Sequence, residues 1–521
     1  MRKCRLALTL FMCLTLILCG CTKESANVVS DCDEKPEIVM WMDLNKIVSD
    51  ISSDFNEIPL AKALVEKSGI NVRYIHPPAG EGLPQLEMLI ASDNLPDMIS
   101  YAWYNFSGGM QNVIDQGYIE RLNDLIEAYS PNLKNYLGAN PDVDKTLKTD
   151  KGDYYVYPFI RGTDELTVYA GPYIRKDWLD ELGLEIPETI DEWEKVLIAF
   201  RDEKGATAPL NIALNAFGHG LLTGAFGIKK GFLADDAGKV IFGPITPEYK
   251  EFLTLMRKWY AEGLLDKNFA SPDRGTPKID LLNGKSGIAF GPAGSAMGVF
   301  MVEGRAQNPD FTLAGIPYPS MEKGGLSSHG QKDFRYVFEG SVAISAKSEH
   351  KELCARFLDF GYSEEGHMLY NFGIEGESYE IDGDGYPRYT DFIMNNPDGL
   401  TVTHALGQYT MSCYSGPIIQ DERYIEQYYR LPEQRQAIER WLKTDVDRHI
   451  LPPVVPNTEE TLETSKIMNG VYAYVDDMIC KFVMGVEPLS EFDKYVEEVN
   501  SLGVQRAIEI KEQALDRYRT R

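Results

Sequence analysis

Basic residues are scarce in this chain. Across 521 residues, 52 Lys and Arg face 79 Asp and Glu, a formal net charge of -27 at pH 7. A phosphate backbone repels such a surface, which excludes nucleic acid as a partner. The same charge favours solubility and neutral or cationic partners without naming one. Cysteine is sparse too: of eight, none stands in a C-x-x-C pair, so no metal site and no cofactor is expected. Cys354 and Cys480 lie in apolar helical context, where a buried free thiol is the expected state. After residue 36 the sequence lacks internal repeats and low-complexity blocks, which excludes a repeat architecture. The N-terminal apolar run, Leu6 to Leu18, is shorter than the about 20 residues a membrane helix needs.

What is present begins with length, since 521 residues exceed one ordinary core and predict two lobes or more. Arg2, Lys3 and Arg5 precede the Leu6 to Leu18 run in the order of an export signal. Leu18-Cys19-Gly20-Cys21 follows and resembles the bacterial lipobox. That resemblance implies a signal peptide over residues 1–20, cleavage before Cys21, diacylation of its sulfur and a polar tether over 21–36. The protein would then be anchored on the outer face of the bacterial cytoplasmic membrane. Plain secretion or an uncleaved anchor is the alternative.

The best-marked stretch is YIRKDWLDELGLEIPETIDEWEKVLIAF, from Tyr173 to Phe200. Asp177 is expected to cap a short helix that Gly183 ends in a left-handed residue. After Pro187, Thr189 and Glu192 stand at capping-box spacing, and Ile190, Trp193, Leu197 and Phe200 form one apolar stripe of a second helix. The run R-K-D-W-L-x-x-L-G-x-x-x-P-x-T-x-x-E-W resembles the family 1 extracellular solute-binding proteins, and within them the large lipoproteins that feed carbohydrate ABC importers. Further segments match in order. Ala91, Ser92, Leu95, Pro96 and Asp97 keep a helix-to-strand frame, Lys250 to Leu264 reads K-E-x-L-x-x-M-x-K-W-Y-x-E-G-L, and Glu365 to Gly376 reads E-G-x-x-L-x-N-x-G-I-E-G. A calcium loop that many relatives carry is not expected, because Asp202 to Pro209 offers two carboxylates where calcium takes six to eight oxygens.

The resemblance implies an α/β, periplasmic-binding-protein-like fold: two α/β lobes joined by hinge crossovers, with a mostly helical C-terminal extension. Residues 37–160 and 291–340 are expected in the N-terminal lobe, and 164–288 and 345–521 in the C-terminal lobe. The chain is expected to cross near Ile160 to Thr163, again through Ser286 to Gly291, and a third time at Tyr336 to Ser345.

Sugars ask for flat aromatic faces and polar partners, and ligands of α/β sheets sit at the carboxyl ends of parallel strands. That rule selects Trp41, Asp43, Trp103, Tyr104, Arg161, Phe217, His219, Glu339 and Tyr414 as candidate ligand-binding residues. The aromatics have a core alternative, since Tyr, Phe and Trp number 29, 22 and 6. Trp103 and Tyr104 are favoured because adjacent bulky rings at a strand end are hard to bury together; Trp178, Trp193, Trp259 and Trp441 are assigned to packing. The expected protein is a non-catalytic, monomeric receptor. It would close on an oligosaccharide and be recognised, closed, by two permease subunits with their ATPase. A surface glycoside hydrolase using Asp43 and Glu339, or a carbohydrate sensor or adhesin, is the alternative.

Overall fold

Hydrophobic periodicity switches from two to near four along the first hundred residues, and the backbone follows it. In chain order the strands are β1 (Glu37–Met42), β2 (Asn71–Ile75), β3 (Met98–Ser100), β4 (Tyr157–Arg161), β5 (Ala170–Arg175), β6 (Leu210–Asn211), β7 (Phe232–Ala234), β8 (Val240–Phe242), β9 (Ile288–Pro292), β10 (Leu313–Gly315), β11 (Tyr336–Ile344), β12 (Tyr379–Ile381), β13 (Pro387–Tyr389) and β14 (Ile419–Gln420). The computed structural model describes residues 36–106, 108–270, 277–414, 416–454 and 456–521. The export signal, the tether up to residue 35, Cys21 and Cys32 lie outside the described residues.

One sheet runs β14-β4-β11-β3-β1-β2 and a second β10-β5-β9-β6, with β7–β8 and β12–β13 as separate hairpins. β1 pairs in parallel with β2 and with β3, and helices Pro59–Ser68 and Gly82–Ala91 make the crossovers. Pro59 suits a first helical turn, where its missing N–H has no partner to lose. Gly69 ends that helix at φ +68°, a conformation any Cβ would resist. β11 lies antiparallel between β3 and β4 and bulges between Val337 and Val342. Each sheet carries its own buried cluster. The first is built around Trp41, Trp103, Tyr155 and Tyr157, the second around Trp193, Trp259 and Trp441.

The helix pair forms as the sequence predicts in its second half and differently in its first. Thr189 and Glu192 make a reciprocal capping box at the start of helix Ile190–Glu203, and Ile190, Trp193, Leu197 and Phe200 are buried. Asp177 does not cap: it lies inside helix Lys176–Leu182, where both oxygens accept from the buried Arg175 guanidinium at 2.9 and 2.6 Å. An arginine two residues upstream outcompetes the backbone amides for that carboxylate, because a bidentate charged pair is stronger than a single cap bond.

Strand pairing redraws the expected lobe boundaries. Ser286 to Gly291 does not cross back, since β9 pairs with β5 and β6 in the second sheet, and β10 also joins β5 there. Residues 291–315 therefore belong with the second sheet, and the chain returns only between β10 and β11. Helices Lys351–Phe360 and Glu364–Phe372, expected in the C-terminal lobe, pack with the first core through Cys354, Phe357, Leu358, Leu369 and Tyr370. The last crossing follows β14, which pairs in parallel with β4, and not Tyr336 to Ser345. Period-two alternation is the same on either sheet, so local sequence could not choose between them. Residues 37–521 form one compact unit.

Candidate binding cleft

Three segments connect the sheets, 162–169, 316–335 and 421–431, and polar contacts tie them together. The Tyr169 and Ala170 amides both donate to Gln331 Oε1, at 2.8 and 3.0 Å. Arg161, the last residue of β4, donates to Asp333 Oδ2 at 2.9 Å and Gln420 Oε1 at 3.3 Å, so one guanidinium ties a connecting segment to the end of β14. Its Cζ lies over the Phe159 and Tyr169 rings at 5.7 and 5.3 Å, a pair of cation–π contacts. Arg161 Nε is buried without a partner among the described residues.

Helix Pro432–Trp441 closes one side of this region because two strand glycines let it approach. A Cβ on Gly171 would stand 2.4 Å from the Trp441 ring, and one on Gly315 2.3 Å from Ala437. Trp441 Nε1 donates to Pro172 O at 3.0 Å and fixes the helix on β5. The preceding chain then presents Tyr424, Tyr428 and Tyr429 to a cavity of about 640 Å³, whose walls include Arg161, Tyr169 and Gln420 from one side and Pro292 and Ser295 from the other. Tyr414 lines the same cavity and its buried hydroxyl has no partner among the described residues. A larger groove of about 1310 Å³ lies among helices Pro59–Ser68, Lys351–Phe360 and Glu364–Phe372. None of its walls comes from the second sheet or its core, so the smaller cavity, fed by strand ends of both sheets, is the candidate site.

The sequence-selected residues divide. Arg161 and Tyr414 meet in the cavity. Trp41 and Trp103 do not, being 1% exposed in the first core; Trp41 Nε1 donates to Gln85 Oε1 at 2.9 Å and Trp103 packs against Tyr101 and Phe106. Phe217 is buried in the second core, edge-on to Phe252. Trp103 and Tyr104 are not buried together, but only Tyr104 stays accessible: a 3-10 turn over Trp103–Asn105 turns the indole inward and leaves Tyr104 at the surface, against Phe338 at 4.6 Å. Tyr169, Asp333, Tyr428 and Tyr429 were not selected. The Tyr428-Tyr429 doublet stands eight residues after the end of a strand, too far for a rule that looks one or two residues past it.

The electrostatics are those of a concave surface. His219 is exposed yet its pKa is lowered, first by desolvation, with Asp333 opposing and Lys229 assisting. Accessibility together with desolvation means walls on several sides. His219 also stacks with Phe290 at 5.8 Å. Burial raises the Tyr169 phenol, and the charges of Asp333 and Glu339 push it further, which places exposed Glu339 near the same ring. Asp43 sits apart. Its carboxyl is raised by desolvation with His76 opposing, and it lines a different hollow with His76 and Gly82. Asp43 and Glu339, the pair a hydrolase would need, have no described contact with each other. At the end of helix Ile190–Glu203, Asp202 pairs with Arg201, and just beyond it Lys204 pairs with Glu181.

Two sheets joined by three segments, with an aromatic and polar cavity at the junction, define a solute-binding protein of the periplasmic-binding type. The family model described as bacterial extracellular solute-binding protein matches residues 54–368, and the chain belongs to that family. It is 28% identical over 454 residues to lipoprotein LipO of Bacillus subtilis (strain 168), covering 84% of each chain. It is 24% identical over 495 residues to the fructooligosaccharide ABC transporter substrate-binding protein FusA of Streptococcus pneumoniae serotype 4, covering 89% of this chain and 88% of FusA. Among solved structures, an HMO-binding, ABC-transporter-associated solute-binding protein from Bifidobacterium longum infantis superposes with a TM-score of 0.76 at 20% identity, covering 93% of this chain and 99% of that one.

Proposed function

We propose that this chain is the substrate-binding lipoprotein of an ABC importer, which captures an oligosaccharide between its two sheets and delivers it to two permease subunits and their ATPase. The observation that carries the reading is the junction cavity. Tyr169, Tyr414, Tyr424, Tyr428 and Tyr429 offer flat faces, while Arg161 Nε and the Tyr414 hydroxyl are buried donors with no partner among the described residues. Buried polar groups without partners are uncommon in native structures, and a ligand that bridges them answers the deficit. FusA is named for fructooligosaccharide and the Bifidobacterium protein for HMO, and both names support an oligosaccharide here. The lobes close over the solute through the three connecting segments, and the permease reads the closed form. Cys21 carries the lipid, the monomer stands on the outer face of the cytoplasmic membrane, and no chemistry is done on the solute.

The test is a thermal-shift screen of the protein against an oligosaccharide panel, followed by calorimetry and mass spectrometry of the recovered ligand. Stoichiometric binding with intact ligand is expected, with a smaller radius of gyration in small-angle scattering at saturation. Recovery of cleaved sugar, or saturable binding with no change in radius, refutes the reading.

A further inference from the structure

The junction cavity carries a charge of its own. Four carboxylates line it, Glu165, Glu422, Glu426 and Glu439, against two guanidinium groups, Arg161 and Arg435. The acids come from three separate elements: the 3-10 turn Glu165–Thr167, helix Glu422–Tyr428 and helix Pro432–Trp441. A shift of any one element therefore leaves acids on the other walls. Among the described residues none of the four forms an ion pair. Glu426 accepts from the Tyr386 hydroxyl, a neutral donor that leaves its charge in place. Arg423, next to Glu422 in the chain, is spent on Asp421 at 2.6 Å. Tyr169 registers the same sign: burial raises its phenol, Asp333 and Glu339 push it further, and Arg161 opposes them.

The two cations do not restore the balance. Strong carboxylate binding by arginine uses two parallel N–H donors of one guanidinium. Arg161 has already given one terminal nitrogen to Asp333 Oδ2 at 2.9 Å and the other to Gln420 Oε1 at 3.3 Å. Its Nε alone is left, buried and without a partner among the described residues. A single donor suits a sugar hydroxyl, whereas a carboxylate placed there would share the guanidinium with the Asp333 carboxylate. Arg435 is exposed and stands four residues before Glu439 on the same helix, the spacing at which opposite charges offset each other.

We propose, resting on the capture of an oligosaccharide in this cavity, that the site selects neutral chains and rejects those bearing uronic acid or sulfate groups. A neutral chain needs the tyrosine faces and single donors for its hydroxyls, and both are present. An acid group must shed water on entry and finds no free counter-charge to replace it. A hollow of about 640 Å³ is of the same order across as the Debye length, about 10 Å at 0.1 M salt, so the glutamates are felt throughout it. The repulsive element supplies the discrimination.

The experiment is calorimetry on the full chain, in metal-free buffer, with matched pairs of probes. Galactotetraose is set against tetragalacturonate, mannotetraose against tetramannuronate, and nystose against its form oxidised to carboxylate at the primary hydroxyls. At least one neutral probe is expected to bind, and its acidic counterpart at least tenfold more weakly at 20 mM salt. The gap should narrow at 500 mM salt, and methyl esterification of the acid should close it, which a mismatch of shape would not allow. The double variant Glu165→Gln, Glu439→Gln should raise affinity for the acidic probe at least threefold while leaving the melting temperature within a degree of wild type. An acidic probe that binds as tightly as its neutral partner, or a gap indifferent to salt and to esterification, overturns the selection and leaves oligosaccharide capture standing. Binding of no probe, neutral or acidic, counts against the capture itself and removes the selection with it, so the two readings fail in different ways.

Discussion

Gly171→Ala is the sharpest probe of how packing builds the cavity. The added methyl would lie 2.4 Å from the Trp441 ring carbons, about 1 Å inside ordinary van der Waals contact. Trp441 is fully buried and tethered by its hydrogen bond to Pro172 O, so it has little room to turn away. Overpacking of this kind costs about 1–3 kcal/mol. Helix Pro432–Trp441 must shift outward, and with it the chain bearing Tyr428 and Tyr429. Urea unfolding followed by circular dichroism should show a lower midpoint with an unchanged slope, and the best ligand from the sugar screen should bind more weakly. Trp441→Leu alone loses both packing and the hydrogen bond, yet the double variant should be more stable than the two losses summed, because leucine gives the methyl its space. Gly171→Ala at wild-type stability, or strict additivity in the cycle, would refute the claim that the strand glycines set the helix position.

Three further perturbations separate core from site. Trp103→Ala should destabilise the fold by about 3–5 kcal/mol, as buried aromatic truncations do; wild-type stability with lost sugar binding would return Trp103 to the site. Tyr414→Phe should leave the denaturant midpoint equal or higher, since the hydroxyl it removes is buried without a partner among the described residues, and should weaken ligand by about 1 kcal/mol. A stability loss of similar size without ligand would contradict the unpaired assignment. His329 is held at about 4 when folded against an ordinary value near 6.5. The folded state therefore binds this proton less readily than the unfolded chain, so its contribution is greatest above pH 6.5 and is lost as pH falls toward 4. The loss is about 3 kcal/mol by linkage, read as the drop in unfolding free energy between pH 7 and pH 4. His329→Asn should flatten that limb, and an identical pH dependence in both proteins would remove His329 as its cause.

Much of the local structure was legible. Thr189 and Glu192 announced their capping box, Gly183 its helix end, and the ordered family motifs the two-sheet α/β fold. The candidate site was legible only in part. Arg161 was reached by the strand-end rule because it closes β4, whereas Tyr414 precedes β14 and reaches the cavity from the turn before that strand. Trp41, Trp103 and Phe217 satisfied the same rule and went to the core. Position along a strand says which residue is near its end, while the direction of the side chain depends on the turn that follows.

Periodicity, caps and turn glycines act within a few residues of each other, so the sequence by itself determined where helices and strands lie. The negative surface was likewise set by composition. Which sheet β9, β10 and helices Lys351–Phe360 and Glu364–Phe372 would join was decided only by tertiary pairing, because an apolar stripe is indifferent to the core that buries it. The meeting of Arg161, Asp333 and Gln420 spans hundreds of residues of chain. Such contacts come from the packing of whole sheets, which no local pattern encodes.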